Sequence, residues 1–219
     1  MIPPLVAVLL MLLSYLCGSI PFGVLIARSR GMDIQRFGSG NIGATNVGRA
    51  LGRRWGILVF LLDFTKGLVP TLVATALGPR IGSDPFMWFD LPVLCAFAAV
   101  LGHVFSIWLG FRGGKAGATG LGVGAVICWQ AMVVAAIVWL LVVGVSRYVS
   151  LGTMLGAAAY VGAYLTVSVF LDRASPLDRQ HVTRTVFCIA VTALVIVRHR
   201  ENIRRLLSGT ESKVNIRSE

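Results

Sequence analysis

Gly38-Ser39-Gly40-Asn41-Ile42-Gly43-Ala44-Thr45-Asn46-Val47-Gly48-Arg49 lies between two long apolar runs, about Pro4 to Ala27 and about Trp55 to Ala76. Each run is long enough to cross a bilayer core, which takes about 20 apolar residues, so the stretch between them sits at a membrane edge. It offers glycines, small hydroxyl and amide side chains and a closing arginine. Glycines let backbone N–H groups turn toward one point, Ser, Thr and Asn add donors, and Arg supplies a forked cation. That is the chemistry of a phosphate cradle. The same residue types also make an ordinary flexible turn, and it is a second segment of this kind, further along, that favours the cradle.

The composition agrees with a polytopic, all-α membrane protein. Of the 219 residues 56% are hydrophobic and 13% charged, against about 25% charged in a soluble domain. The first run has no basic leader and no small-residue cleavage site, so it reads as a true span. Pro21, after Gly18 and Ser19, places a kink within it. The cysteines at 17, 95, 128 and 188 fall in or beside apolar runs without CxxC spacing and read as small buried hydrophobes. A net charge of +11 would suit nucleic acid, but no such motif accompanies it. In a membrane protein it points to cytoplasmic loops and anionic lipid headgroups.

Charge asymmetry sets the topology. Lys and Arg concentrate in 28–54, 111–119, 146–150 and 198–219, whereas the loops 78–90 and 172–184 balance Arg80, Arg173, Arg179 and Arg184 with four acids. The basic segments are assigned to the cytoplasm, with the N-terminus outside and the C-terminus inside. Both ends of the apolar run 120–145 then lie on one side. Its 26 residues are too few for two crossings, so a pair of short half-spanning helices turning near Trp129-Gln130 is preferred to one long crossing. That gives about seven segments in a single membrane domain, 1–219.

The second glycine-rich basic segment is Phe111-Arg112-Gly113-Gly114-Lys115-Ala116-Gly117-Ala118-Thr119. It lacks GxxxxGK[ST] spacing, so the signal is phosphate rather than nucleotide. Two cradles on one face suit a ligand with two phosphates, or two phosphorylated substrates. In the tail, His199, Asn202 and Arg205 drift along one face of a helix continuing from the last span. His103 either lines the site or hydrogen-bonds to a neighbouring helix. Asp63 and Lys66 share a helical face within a span, as an internal ion pair or with Lys66 reaching toward the cytoplasm.

Tyr15-Leu16-Cys17-Gly18-Ser19-Ile20-Pro21-Phe22-Gly23, Gly38 to Arg49, Gly102-His103 leading to Gly113-Gly114-Lys115, and His199-Arg200-Glu201-Asn202-Ile203 with Gly209-Thr210-Glu211 resemble the bacterial acyl-phosphate:glycerol-3-phosphate acyltransferase family. The resemblance implies a membrane-embedded enzyme of the bacterial inner membrane. It would move a fatty acyl group from acyl phosphate to glycerol 3-phosphate, with its site on the cytoplasmic side. It also implies no cofactor, no metal and no acyl-CoA or acyl-carrier donor, with a soluble enzyme that makes acyl phosphate as a partner. No Asp stands five residues after any histidine: Trp108, Val186 and Arg204 occupy those positions, so the HxxxxD motif of other glycerolipid acyltransferases is missing.

By the same resemblance Gly38, Ser39, Gly40, Asn41, Gly43, Thr45, Asn46 and Arg49 bind one phosphate. Gly113, Gly114, Lys115 and Thr119 hold the acyl-phosphate headgroup or the glycerol phosphate. Ser39, Arg49, Lys115, His199 and Asn202 form the catalytic set. Two positions depart from the family: Ser106 stands where Pro is usual, and Ala116-Gly117 where Gly-Val follows the lysine. Acyl phosphate is a reactive mixed anhydride, so direct attack by the glycerol hydroxyl needs no acyl-enzyme. The base is His199 or a substrate phosphate oxygen. The competing class is a transporter of a phosphorylated or anionic solute, which would spread polar residues across the bilayer.

Overall fold

A computed structural model describes residues 4–81, 90–178 and 181–214, without the side chains of 4 and 78–81. Asp84, Arg179, the Arg80 side chain, Met1 to Pro3 and the tail after Val214 lie outside the described residues. Every regular element among the described residues is helical. The chain divides into two compact units, Met1–Ile127 and Cys128–Glu219.

In the first unit α1 (Pro4–Ser19) and α2 (Phe22–Arg28) are separated at Ile20-Pro21. Together they make one candidate span, Leu5–Arg28. Pro21 cannot donate an N–H, and the break falls where the sequence predicts it. A 3-10 turn (Ile34–Arg36) and α3 (Ala44–Leu51) follow, then the long α4 (Arg53–Ile81). α5 (Leu91–Val104) and α6 (Gly117–Ile127) complete the unit. α1 packs on α5, and α4 on α6. The α1–α5 contact is a backbone approach: a Cβ on Gly102 would overlap the Tyr15 carbonyl, the small-residue packing that membrane helices use where no hydrophobic force draws them together.

The segment 28–54 is more ordered than its polarity suggests. Val24, Ala27, Ile34, Ile42, Val47 and Val59 form a buried cluster under it, with Leu109 packed on its edge. Leu109 belongs to the turn that leads into 111–119, so both glycine-rich segments stand at the same end of this unit. At that end the Arg30 guanidinium lies 4.1 Å and that of Arg54 5.4 Å from the Trp55 ring. Aromatic rings and arginines of this kind mark a membrane–water boundary.

In the second unit α7 (Trp129–Ser146) and α8 (Val149–Thr166) pack side by side across the two-residue turn Arg147-Tyr148. α8 runs on as a π-helical turn, Val167–Leu171, and α9 (Val182–Arg198) and α10 (Arg200–Leu207) follow. α9 packs on α8, and Thr192 Oγ1 donates to the Ala157 carbonyl at 3.1 Å. The tail returns to the α7–α8 turn: Val214 N–H donates to the Arg147 carbonyl at 2.8 Å. Segments 146–150 and 198–214 thus share one end of this unit, as their common charge predicts.

Among the described residues five helices are long and apolar enough to cross a membrane, or six if α9 and α10, bent by 54°, count as one span. Outward-facing apolar side chains such as Leu13, Leu141 and Phe170 are well over half exposed, as lipid-facing residues are. The run 120–145 is broken at Cys128, next to the expected turn. Its parts are unequal: α6 has 11 residues and α7 has 18. At 1.5 Å per residue α7 is about 27 Å long, close to a full crossing, so only α6 has the half-spanning length that the sequence suggests for both.

A candidate phosphate site on two glycine-rich segments

The first segment is half loop and half helix. Gly38 and Gly40 take positive φ values of 55° and 67°, which only glycine adopts without strain. They fold 37–40 into a tight turn closed by Gly40 N–H donating to the Phe37 carbonyl at 2.9 Å. At Gly43 the chain enters α3 without a side-chain cap. The first turn of this helix therefore faces the loop with its positive dipole end. Thr45 and Arg49, four residues apart, share one face of α3.

Asn46 shapes this loop. Its side chain is buried, with 1% of the residue exposed. Oδ1 accepts the Ser39 backbone N–H at 3.2 Å, and Nδ2 donates to the carbonyls of Phe37 at 2.9 Å and Ile34 at 3.3 Å. The role implied for Asn46, direct phosphate contact, is not where its geometry points: the amide is turned inward to hold the loop. Ser39 is exposed, and its Oγ accepts the Asn41 N–H at 3.4 Å. With its N–H committed to Asn46, Ser39 offers a ligand its hydroxyl. Arg49 is exposed on the last turn of α3.

In the second segment the glycines serve close approach. Gly113 N–H donates to the Val104 carbonyl at 3.0 Å and Gly114 N–H to that of His103 at 2.9 Å, which fastens the loop to the C-terminal end of α5. A Cβ on Gly114 would overlap the His103 imidazole. These two N–H groups are committed to backbone carbonyls of the fold, and the cations of the segment are Arg112, exposed, and Lys115, half-buried. Thr119 lies inside α6, fully buried against Gly67 of α4, and is a packing residue there. Ala116 takes a φ of +62°. This is the position at which the resemblance expects glycine, and the left-handed backbone supplies the reason. The other departure, Ser106, donates its buried hydroxyl to the Ser19 carbonyl at 2.6 Å.

The buried charges resolve as an internal pair: Lys66 Nζ lies 2.8 Å from Asp63 Oδ1 and donates to the Ile20 carbonyl at 2.7 Å. His103 is buried with Nδ1 3.8 Å from the same Asp63 oxygen. Both belong to the interior of the first unit.

In the second unit the expected continuous helix is broken at His199, where α9 gives way to α10. The His199 N–H and its ring Nδ1 both reach the Val195 carbonyl, Nδ1 at 2.7 Å. A side chain bonded into the helix ladder is a common cause of a kink. The contact assigns the proton to Nδ1 and the lone pair of the neutral ring to Nε2. Gly209, with φ +71°, ends α10 in a Schellman turn, Thr210 N–H donating to the Arg205 carbonyl at 2.8 Å. The reversal carries Glu211 back to α10. Its carboxylate accepts from Asn202 Nδ2 at 2.6 Å, Ser150 Oγ at 2.7 Å and Arg205 Nε at 2.7 Å. Burial pushes the Glu211 carboxyl up, but these three hydrogen bonds and the Arg205 charge outweigh it and hold it below the usual carboxylate range. Asn202 and Arg205 do share a face, as their spacing predicts. Nothing in the sequence alone gives Glu211 a role, although Gly209 is a readable stop signal for α10.

Several helices of membrane-spanning length and apolarity make this an integral membrane protein. The sequence profile of the family described as glycerol-3-phosphate acyltransferase matches residues 8–209, and the chain belongs to that family. A glycerol-3-phosphate acyltransferase of Anaeromyxobacter dehalogenans is 43% identical over 216 residues, covering 98% of this chain and all of that one. The crystal structure of PlsY (YgiH), an integral membrane glycerol 3-phosphate acyltransferase, in its glycerol 3-phosphate form is 38% identical, with a TM-score of 0.81 over 95% of this chain and 96% of that one. Its lysophosphatidic acid form gives 0.78 over 95% of each.

Proposed function

We propose that this protein transfers a fatty acyl group from acyl phosphate to the primary hydroxyl of glycerol 3-phosphate. The products are 1-acylglycerol 3-phosphate and inorganic phosphate, the first step of phospholipid synthesis. Membership of the glycerol-3-phosphate acyltransferase family supplies the reaction type. The observation that carries the donor is that two glycine-rich basic segments share one end of the first unit, which suits two substrates that each bear a phosphate. A thioester donor carries its phosphate at the far end of the pantetheine arm, whereas acyl phosphate carries it on the reacting carbon, where two neighbouring phosphate-binding segments would meet it beside the acceptor. The enzyme works as a multi-pass protein of the bacterial inner membrane with its site on the cytoplasmic side, where acyl phosphate from a soluble enzyme would reach it.

The hydroxyl oxygen attacks the acyl carbon, the acyl carbon–oxygen bond to phosphate breaks, and phosphate leaves with the electron pair. The Ser39 hydroxyl, the α3 N-terminus with Thr45, and Arg49 hold one phosphate; Lys115 holds the other. Alignment and charge stabilisation supply the rate. The hydroxyl proton passes to a base. Among the protein's groups His199 suits by type, its Nε2 carrying the lone pair; a substrate phosphate oxygen is the rival. In His199→Ala an unchanged acidic limb of the pH–rate profile removes the histidine from that role, and loss of the limb assigns it.

The donor is tested directly. Purified protein supplied with labelled glycerol 3-phosphate is given palmitoyl phosphate, palmitoyl-CoA or palmitoyl-acyl carrier protein in turn. Labelled 1-acylglycerol 3-phosphate forms with palmitoyl phosphate alone. Turnover with either thioester at a comparable rate contradicts the assignment.

A further inference from the structure

The buried charges of the first unit lie beneath the two glycine-rich segments and touch the frame of each. Lys66, with 3% of the residue exposed, donates to the Ile20 carbonyl at 2.7 Å. Ile20 is the last residue before Pro21, where the first span breaks, and a break inside a membrane frees carbonyls that must find donors. Ser106 supplies the other, its hydroxyl reaching the Ser19 carbonyl at 2.6 Å. Three residues beyond Ile20, Gly23 of α2 packs so closely on the Ile42 carbonyl that a Cβ would overlap it, with Val47 in tight contact beside it. A shift of the break is therefore carried directly into the first loop and α3.

The same cluster reaches the second loop. Asp63 Oδ1, paired with Lys66 at 2.8 Å, lies 3.8 Å from His103 Nδ1. The His103 carbonyl accepts the Gly114 N–H at 2.9 Å, and its ring fills the space a Gly114 side chain would take. Stability alone is a poor reason for these charges. Well-packed apolar residues often replace a buried ion pair without loss, and ionisable groups inside a membrane are costly.

We propose that Asp63, Lys66 and His103 are positioning residues for acyl transfer: they set the distance between the two glycine-rich segments, and so the alignment of the two phosphate-bearing substrates. This rests on the reading that each segment holds one substrate phosphate. Each loop keeps its own fold when the cluster is altered, so binding of each substrate is largely retained while their mutual approach is lost. A misplacement of about 1 Å can cost on the order of 100-fold in rate. The expected signature is a fall in kcat with little change in either KM.

The test uses Asp63→Asn/Lys66→Met, which removes both charges together and leaves neither buried alone, and His103→Leu, which removes the imidazole that stands between Asp63 and the second loop. Each lowers kcat roughly tenfold or more while both KM values stay within about threefold, and the combined variant loses much less than the product of the two, because both act through one displacement. A folded, monodisperse Asp63→Asn/Lys66→Met protein with kcat within about twofold of the parent, or losses that multiply in the combined variant, overturns the proposal. If that variant does not fold, Ser106→Ala, which removes a donor from the same break without touching a charge, takes its place in the cycle under the same criteria. Lys115→Ala keeps the two readings apart. An unchanged KM and kcat there overturns the two-phosphate reading itself, whereas a raised KM beside an unaltered Asp63→Asn/Lys66→Met protein overturns only the positioning role.

Discussion

Asn46 and Ser39 are joined across the first loop: Asn46 Oδ1 accepts the Ser39 backbone N–H, while its Nδ2 holds the carbonyls of Ile34 and Phe37. One buried amide thus sets the path of the loop that presents Ser39. Asn46→Ala leaves an N–H and two carbonyls without this partner, at about 1–3 kcal/mol for each group that stays dry. We expect a clear drop in the thermal midpoint and a rise of tenfold or more in KM for the substrate held there. Asn46→Asp keeps the acceptor but turns a buried carboxylate oxygen toward the two carbonyls, so it should be at least as damaging as Asn46→Ala. An Asn46→Ala protein with parental KM would show that the loop does not depend on this amide.

Gly38 tests the same loop from the other side. Its φ is +55°, and a Cβ there would lie 2.6 Å from Asn46 Oδ1. Gly38→Ala therefore meets both backbone strain, about 1–2 kcal/mol, and a clash with the amide that holds Ser39. Activity should fall at least as far as in Asn46→Ala, measured as kcat/KM under the same conditions. Full activity would mean that the turn is not held as described.

At Ala116 opposing effects decide the outcome. Its left-handed backbone costs about 1–2 kcal/mol in any residue but glycine. Ala116→Gly relieves that strain but loses a buried methyl worth about 0.8 kcal/mol and loosens the unfolded chain by roughly 0.4–1 kcal/mol. The net change in stability should stay within about 1 kcal/mol, with activity retained. Ala116→Val adds a β-branched side chain at a fully buried site and should destabilise strongly. Thermal midpoints of the two variants check this, and equal midpoints would contradict the backbone assignment.

Glu211 makes stability depend on pH. Its carboxyl is held below the usual range in the folded protein. Its contribution is therefore complete above the ordinary carboxylate pKa and is lost as pH falls through the depressed value. The thermal midpoint of the parent protein should fall on acidification below about pH 4 more steeply than that of Glu211→Gln. Parallel profiles would contradict the assignment.

Most of the architecture was legible in the sequence, and the reasons are physical. Apolar runs must be as long as the bilayer is thick, and Pro21 must break a helix, so the spans and the first kink could be read from residue type. The end of α10 could be read from Gly209. The roles that escaped depend on contacts between distant residues. Ser150 and Glu211 are 61 positions apart, and nothing local to Glu211 names that partner. Asn46 has the right chemistry for a phosphate ligand, and only the fold turns it inward. Thr119 looks like a loop donor until α6 is seen to begin two residues before it. Ala116 departs from the family pattern, but its significance lies in a φ angle that residue type does not report.

The most direct test of the whole account is phosphate release by the purified protein in detergent, supplied with acyl phosphate and with or without glycerol 3-phosphate. The account predicts release that depends on glycerol 3-phosphate, with one 1-acylglycerol 3-phosphate formed for each phosphate. Release that ignores glycerol 3-phosphate, or no release at all from folded protein, would contradict it.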